Sequence, residues 1–157
     1  MILKGLIDTD SINYKKISMV LEFPKCNFKC DFECGQQVCQ NSTLATSPNI
    51  EVNIEDIIQR YINNPMTESI CFQGLEPFDT FSDLWTFIRI FREISDDDIV
   101  IYTGYNKCEI RDKIKILKEY PNIIIKYGRY VPNQKPHYDD LLGVYLASYN
   151  QYTEKIS

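Results

Sequence analysis

The chain has 157 residues, 44% of them hydrophobic and 25% charged, with a formal net charge of −5. This is the make-up of one ordinary globular domain, 1–157, long enough to bury its own core. Twenty-two acidic against 17 basic residues argue against a nucleic-acid binder, which carries a basic excess. No apolar run approaches the roughly 20 residues of a membrane span. Met1-Ile2-Leu3-Lys4-Gly5 lacks the basic and apolar parts of a signal peptide, so a cytoplasmic protein is expected.

The first expected strand is the β-branched run at residues 18–23. It leads through Pro24-Lys25 into a loop holding Cys26, Cys30, Cys34 and Cys39, four of the six cysteines within 14 residues. Ile54, Ile57, Ile58, Tyr61 and Ile62 then repeat with helical spacing, with Asn53 as N-cap and Pro65 closing the segment. A second strand is expected at 69–73 and a helix at 81–94, with Phe81, Leu84, Trp85, Ile88, Phe91 and Ile94 as its buried stripe. A strand at 98–102 precedes a helix at 107–120, where Ile110, Ile114 and Leu117 point inward and Lys113, Lys115 and Lys118 form a solvated face. Strands at 123–127 and 143–147 complete the set, and the sole histidine, His137, falls in a polar stretch that reads as an exposed loop. Ile99-Val100-Ile101 and Ile123-Ile124-Ile125 are apolar on both sides, as buried parallel strands are.

Alternating strands and helices imply βαβ units with right-handed crossovers. The units are too few for an eight-fold barrel of roughly 250 residues. The expected fold class is therefore α/β, either a shortened, open barrel with mainly parallel strands or a small doubly wound sheet. In both, ligands gather at the C-terminal strand ends. The unusual residues fall there: Pro24-Lys25-Cys26, Gly74-Leu75-Glu76-Pro77, Thr103-Gly104-Tyr105 and Ser148-Tyr149-Asn150-Gln151.

Clustered thiols in a chain without an export signal read as metal ligands rather than disulfides. Structural zinc sites draw on two separated cysteine pairs, and no downstream pair is present. Cys71 reads as a core residue and Cys108 as an ordinary helix residue. An iron–sulfur cluster on the loop is thus the primary reading, with zinc as the rival. The ligand count matters: four cysteines suggest electron transfer alone, whereas three leave one iron open for chemistry.

With these residues in view, the sequence resembles the radical S-adenosylmethionine proteins, most closely the anaerobic ribonucleotide reductase activating proteins. Their hallmark is C-x₃-C-x₂-C, the third cysteine often preceded by an apolar residue and followed by a residue and then Asn. Cys26-x₃-Cys30 fits, and Val38-Cys39-Gln40-Asn41 fits the third position. Cys34 follows Cys30 at a different spacing and is the alternative to Cys39, within a six-residue insertion. Gln73-Gly74-Leu75-Glu76-Pro77 falls where that family has Gly-Gly-Glu-Pro, with Leu75 in place of the second glycine. Tyr102-Thr103-Gly104-Tyr105, Ile125-Lys126-Tyr127-Gly128-Arg129-Tyr130 and Ala147-Ser148-Tyr149-Asn150-Gln151 resemble its Trp-Thr-Gly-Tyr, Val-Asp-Gly-Lys-Phe and Gly-Ser-x-Asn-Gln segments.

The resemblance, covering about residues 18–151, implies a 4Fe-4S cluster on Cys26, Cys30 and Cys39 and S-adenosylmethionine bound near Asn41, Gly74, Glu76, Thr103, Ser148 and Asn150. It implies an oxidoreductase that cleaves S-adenosylmethionine to a 5′-deoxyadenosyl radical. The implied partners are a glycyl-radical enzyme, such as the large subunit of anaerobic ribonucleotide reductase, and a one-electron reductant such as flavodoxin. The alternative is a zinc- or cluster-stabilised binding module without catalysis. Plainer roles also stand: Glu76 as a helix cap, Thr103-Gly104-Tyr105 as a turn, Asn41 in an Asx-turn, and Asn150 and Gln151 as solvated tail residues.

Overall fold

A computed structural model describes all 157 residues. In chain order the elements are β1 (Ile2–Leu3), β2 (Gly5–Asp10), β3 (Ser18–Phe23), α1 (Lys29–Cys34), α2 (Ser42–Thr46), β4 (Ile50–Glu51) and α3 (Ile54–Ile62). There follow β5 (Ser69–Gly74), a 3-10 turn (Pro77–Thr80), α4 (Phe81–Phe91), β6 (Asp98–Tyr102), α5 (Arg111–Leu117), β7 (Ile123–Tyr127), β8 (His137–Asp139), β9 (Val144–Leu146) and β10 (Tyr152–Lys155). No helix is long and apolar enough to cross a membrane.

The central sheet has six strands in the order β10-β7-β6-β5-β3-β2 and does not close. The inner four run parallel, and β2 and β10 flank them antiparallel. The fold is a mixed α/β one with a mostly parallel, open sheet. All four inner strands fall where the apolar runs place them. The fifth expected strand, 143–147, is instead β9, which pairs with β8 in a separate hairpin. The flanking strands β2 and β10 carry Asp8, Thr9, Asp10, Thr153 and Glu154, and such polar edges hide from a search for apolar runs.

The helices differ in detail from their expected ranges. In α4 the buried stripe is Leu84, Phe87, Ile88 and Phe91, whereas Trp85 is 37% and Ile94 53% exposed. The Trp85 indole N–H finds the Tyr120 hydroxyl at 3.0 Å near the surface, and α4 ends before Ile94. Helix α5 starts at Arg111 rather than 107, because Glu109 turns back to accept the Asn106 backbone N–H (2.8 Å) and holds the preceding residues in a turn. Cys108 therefore sits in that turn and is exposed. Lys113 leaves the solvated face: its ammonium donates to the Phe78 carbonyl at 2.6 Å. His137 is half-buried at the start of β8, not in a loop.

Alternation along the strands divides the sheet into two faces. Met19, Leu21, Phe72, Ile101 and Ile125 point to the side covered by α3, α4 and α5, in one continuous core. Phe72 anchors it, edge-on to Phe23 (5.7 Å) and to Phe87 (5.3 Å). On the opposite face Val20, Cys71, Val100 and Ile124 form a row covered by Tyr14, Leu142 and Leu146. Two residues further along each strand the same face presents Glu22, Gln73, Tyr102 and Lys126. That second row is polar and at least half-buried, and a cavity lies above it.

Candidate metal centre

The cysteine loop leaves the C-terminal end of β3 and is shaped by its own residues. Phe28 adopts a left-handed conformation (φ 53°) before α1, and Gly35 (φ 65°) ends the helix the same way. The segment that reads as an insertion in the sequence is thus a compact helical turn. From within it, Asp31 Oδ1 accepts the backbone N–H groups of both Val38 and Cys39 at 2.7 Å. Asn27 donates to the Tyr105 hydroxyl (2.7 Å), and Tyr105 donates to Asp79 (2.6 Å). On the other side of α1, Arg129 reaches Glu33 (3.4 Å) and forms a two-pronged pair with Glu109 (2.7 and 2.9 Å). Arg129 first, and Lys29 further down, hold the Glu109 carboxyl down to about 2.

These clamps bring Cys26, Cys30 and Cys39 to one cavity of about 400 Å³ at the C-terminal strand ends, and leave Cys34 off its lining. Burial pushes the Cys26 thiol up to about 11, opposed by the Phe28 N–H at 3.3 Å from its sulfur. Burial also raises Cys30, against the pull of the Tyr130 N–H. Cluster assembly here would therefore release protons. No three His, Cys, Asp or Glu side chains converge on a point as a single metal ion requires. In a cubane cluster each thiolate binds a different iron, so the sulfurs stand around a cube instead of converging. Three soft thiols lining one cavity, with no fourth among the lining residues, fit that group.

The other expected site residues divide. Asn41, Gly74, Glu76 and Thr103 line the same cavity as the three cysteines. Ser148 and Asn150 do not: the Ser148 hydroxyl accepts the Val131 N–H, and the Asn150 amide donates to the Arg129 carbonyl. Gln151 takes their place on the lining, its own amide occupied by Ala147, Ser148 and Gly128. It is neither solvated nor a tail. Asn41 donates to the Gly74 carbonyl at 2.6 Å, tying the cysteine loop to β5. Gly74 has φ 98°, and a Cβ there would stand 2.6 Å from the Phe23 nitrogen, so only glycine fits.

Glu76 is buried and accepts three hydrogen bonds: from the Phe78 N–H (3.1 Å), the Thr103 hydroxyl (2.8 Å) and the Gly104 N–H (2.9 Å). Its capping role is real, since it opens the 3-10 turn. A carboxylate has about four acceptor positions, so one remains for a further donor. Burial lifts its pKa to about 7 in spite of those three donors.

One charged lining residue, Lys126, lies in a segment that carries the resemblance but is not among the expected site residues. Lys126 ends the run Ile123-Ile124-Ile125, and burial lowers its ammonium to about 8. The available signal was a single lysine in an otherwise apolar strand, in register with the polar residues that end the neighbouring strands.

The sequence pattern of a family described as the 4Fe-4S single cluster domain matches residues 17–152. No curated protein matches the chain.

Proposed function

Because the chain belongs to the 4Fe-4S single cluster domain family and is a 4Fe-4S cluster-binding domain, we propose that it is a radical S-adenosylmethionine enzyme. Its cluster would be held by Cys26, Cys30 and Cys39. The observation that carries this reading is their meeting, without Cys34, in one cavity with Asn41, Gly74, Glu76 and Thr103. Three thiolates leave one iron free, and when bound and reduced the cluster supplies the electron that cleaves S-adenosylmethionine to methionine and a 5′-deoxyadenosyl radical.

The chain's own residues supply position and shelter. The remaining acceptor position of Glu76 receives an N–H of the methionine ammonium. Gly74 allows a ligand close to the backbone while Asn41 holds its carbonyl in place. The apolar row Val20, Cys71, Val100 and Ile124 closes the space beneath the polar floor to water. The unclosed sheet leaves room for a macromolecular substrate, and the proposed one is the glycyl loop of an anaerobic ribonucleotide reductase or a similar glycyl-radical enzyme. A flavodoxin-like one-electron reductant is the proposed donor.

The test is anaerobic reconstitution with iron and sulfide, followed by reduction and an assay for 5′-deoxyadenosine with the glycyl-radical partner present. About four irons per chain and production of 5′-deoxyadenosine are expected. A full cluster without cleavage sinks the radical reading, and stoichiometric zinc in place of iron favours a non-catalytic module. Cys39→Ala loses the cluster and Cys34→Ala keeps it; the reverse result exchanges the two in the ligand set.

A further inference from the structure

The cavity floor contains a cation in no ion pair: Glu22 and Glu76 share the lining, but neither comes within 4 Å of the Lys126 ammonium. Lys126 is 8% exposed and lies on the lining shared by Cys26, Cys30 and Cys39. Its ammonium makes one hydrogen bond, to the Gly128 carbonyl at 3.1 Å, and stands 5.9 Å from the centre of the Tyr102 ring. Every ion pair within 4 Å belongs to other lysines and arginines. Arg129, three residues on, shows the contrast: its guanidinium is neutralised by Glu109 and Glu33. Glu76, the buried carboxylate of the lining, accepts instead from Phe78, Thr103 and Gly104.

An ammonium withdrawn from water without a partner is costly, and the group responds by favouring its neutral form, as the lowered pKa reflects. The rest of β7 is isoleucine and tyrosine, so an apolar residue at 126 would fit the strand with no such cost. Besides burial, the charges that act on it are Glu76 and then Cys30, and of the two it is Cys30, with the other thiols of the shared lining, that becomes anionic on loading.

We propose that Lys126 is a built-in countercharge for the cluster and raises its reduction potential. This rests on the cluster reading above. A thiolate-bound cluster is anionic and gains a further negative charge on reduction. A buried cation stabilises the reduced form more than the oxidised one, and a charge withdrawn from solvent is screened less than a surface one. The step is the transfer of one electron from an external reductant to the cluster, with no bond made or broken.

The experiment compares the reconstituted wild type with three variants by reversible dithionite titration, read optically and by electron paramagnetic resonance. Lys126→Met keeps the stem and removes the charge. Lys126→Gln also keeps a donor for the Gly128 carbonyl, and Lys126→Arg keeps the charge. In the two neutral variants the ratio of oxidised to reduced cluster at a fixed potential is expected to rise about tenfold, about 59 mV for a one-electron couple. Lys126→Arg is expected to stay near wild type.

Full clusters at the wild-type potential in both neutral variants overturn the assignment, as does an equal shift in Lys126→Arg. Loss of the cluster from the neutral variants but not from Lys126→Arg supports it. Loss from all three makes Lys126 a packing residue and overturns it. A wild type that holds no four-iron cluster overturns the underlying reading as well, whereas unchanged potentials on a full cluster overturn this step alone.

Discussion

A single added methyl group tests the site at position 74. Gly74→Ala would push a Cβ into the Phe23 backbone and hold an L-residue at φ 98°. The expected cost is about 1–3 kcal/mol, seen as a lower melting temperature and, because Asn41 grips the Gly74 carbonyl, a looser cysteine loop. Glu76 gives a pH signature. Its folded pKa of about 7 lies above the ordinary 4.5, so its contribution to stability is full below about 4.5 and is lost as pH rises through about 7. Denaturation of the metal-free protein across that window is expected to show a falling stability that flattens in Glu76→Gln. An unchanged slope in the variant would mean the carboxyl is not the titrating group. The sequence marked both residues through Gly74-Leu75-Glu76-Pro77. It did not reveal that the Glu76 carboxylate would be mostly taken up by its own fold, because Thr103 and Gly104 lie 27 and 28 positions away. The capping and ligand-binding roles are not rivals here, since three donors still leave one acceptor position open.

At the level of elements, two of the clamps that shape the cysteine loop can be removed singly. Asp31 fixes Cys39 from inside the loop, and Arg129 fixes α1 from the rim. Asp31→Ala removes an ionised acceptor from two N–H groups, about 1.5–3 kcal/mol. It is expected to hold less iron and sulfide per chain while its far-ultraviolet spectrum stays that of the wild type. A full complement of cluster in Asp31→Ala would show that Cys39 needs no clamp. Arg129→Met breaks a pair whose cation is buried. The cost is expected near 2 kcal/mol, below the ~3–5 of a fully buried pair because Glu109 is 27% exposed. The folded pKa of Glu109 lies below its ordinary 4.5, so its contribution is present above about 4.5 and is lost as pH falls through about 2. An acid titration should therefore destabilise the wild type more than Arg129→Met. Apolar runs made β3, β5, β6 and β7 legible, because a buried parallel strand must be apolar on both sides. The edge strands β2 and β10 were not, since they are selected for polarity, and the insertion concealed α1 because a short helix shows too little periodicity to read.

The whole molecule is built on one six-stranded sheet with unlike faces. Helices seal one, while the other is half covered by the β8–β9 hairpin and half open above Glu22, Gln73, Tyr102 and Lys126. The sealed face bears the stability. Phe72→Ala removes two edge-on aromatic contacts in the core, on the face away from the cavity, and is expected to cost about 3–5 kcal/mol, a large share of a typical domain's 5–15. Calorimetry would show the loss, and cluster binding should weaken with it although no ligand has changed. A small change in melting temperature would instead mean that Phe23 and Phe87 close the gap.

Cys71 lies in the covered row of the open face, wholly buried. The other five cysteines are exposed or partly so. A water-soluble alkylating reagent applied to metal-free protein should therefore label Cys108 first, reach Cys26 and Cys30 more slowly because burial raises their thiols, and reach the sixth only when the sheet itself opens. The chain carries its own unfolding clock: with reagent concentrated enough for alkylation to outpace reclosing, the rate at which mass spectrometry sees the Cys71 adduct appear gives the opening rate of the core, with no probe engineered in and no cluster required.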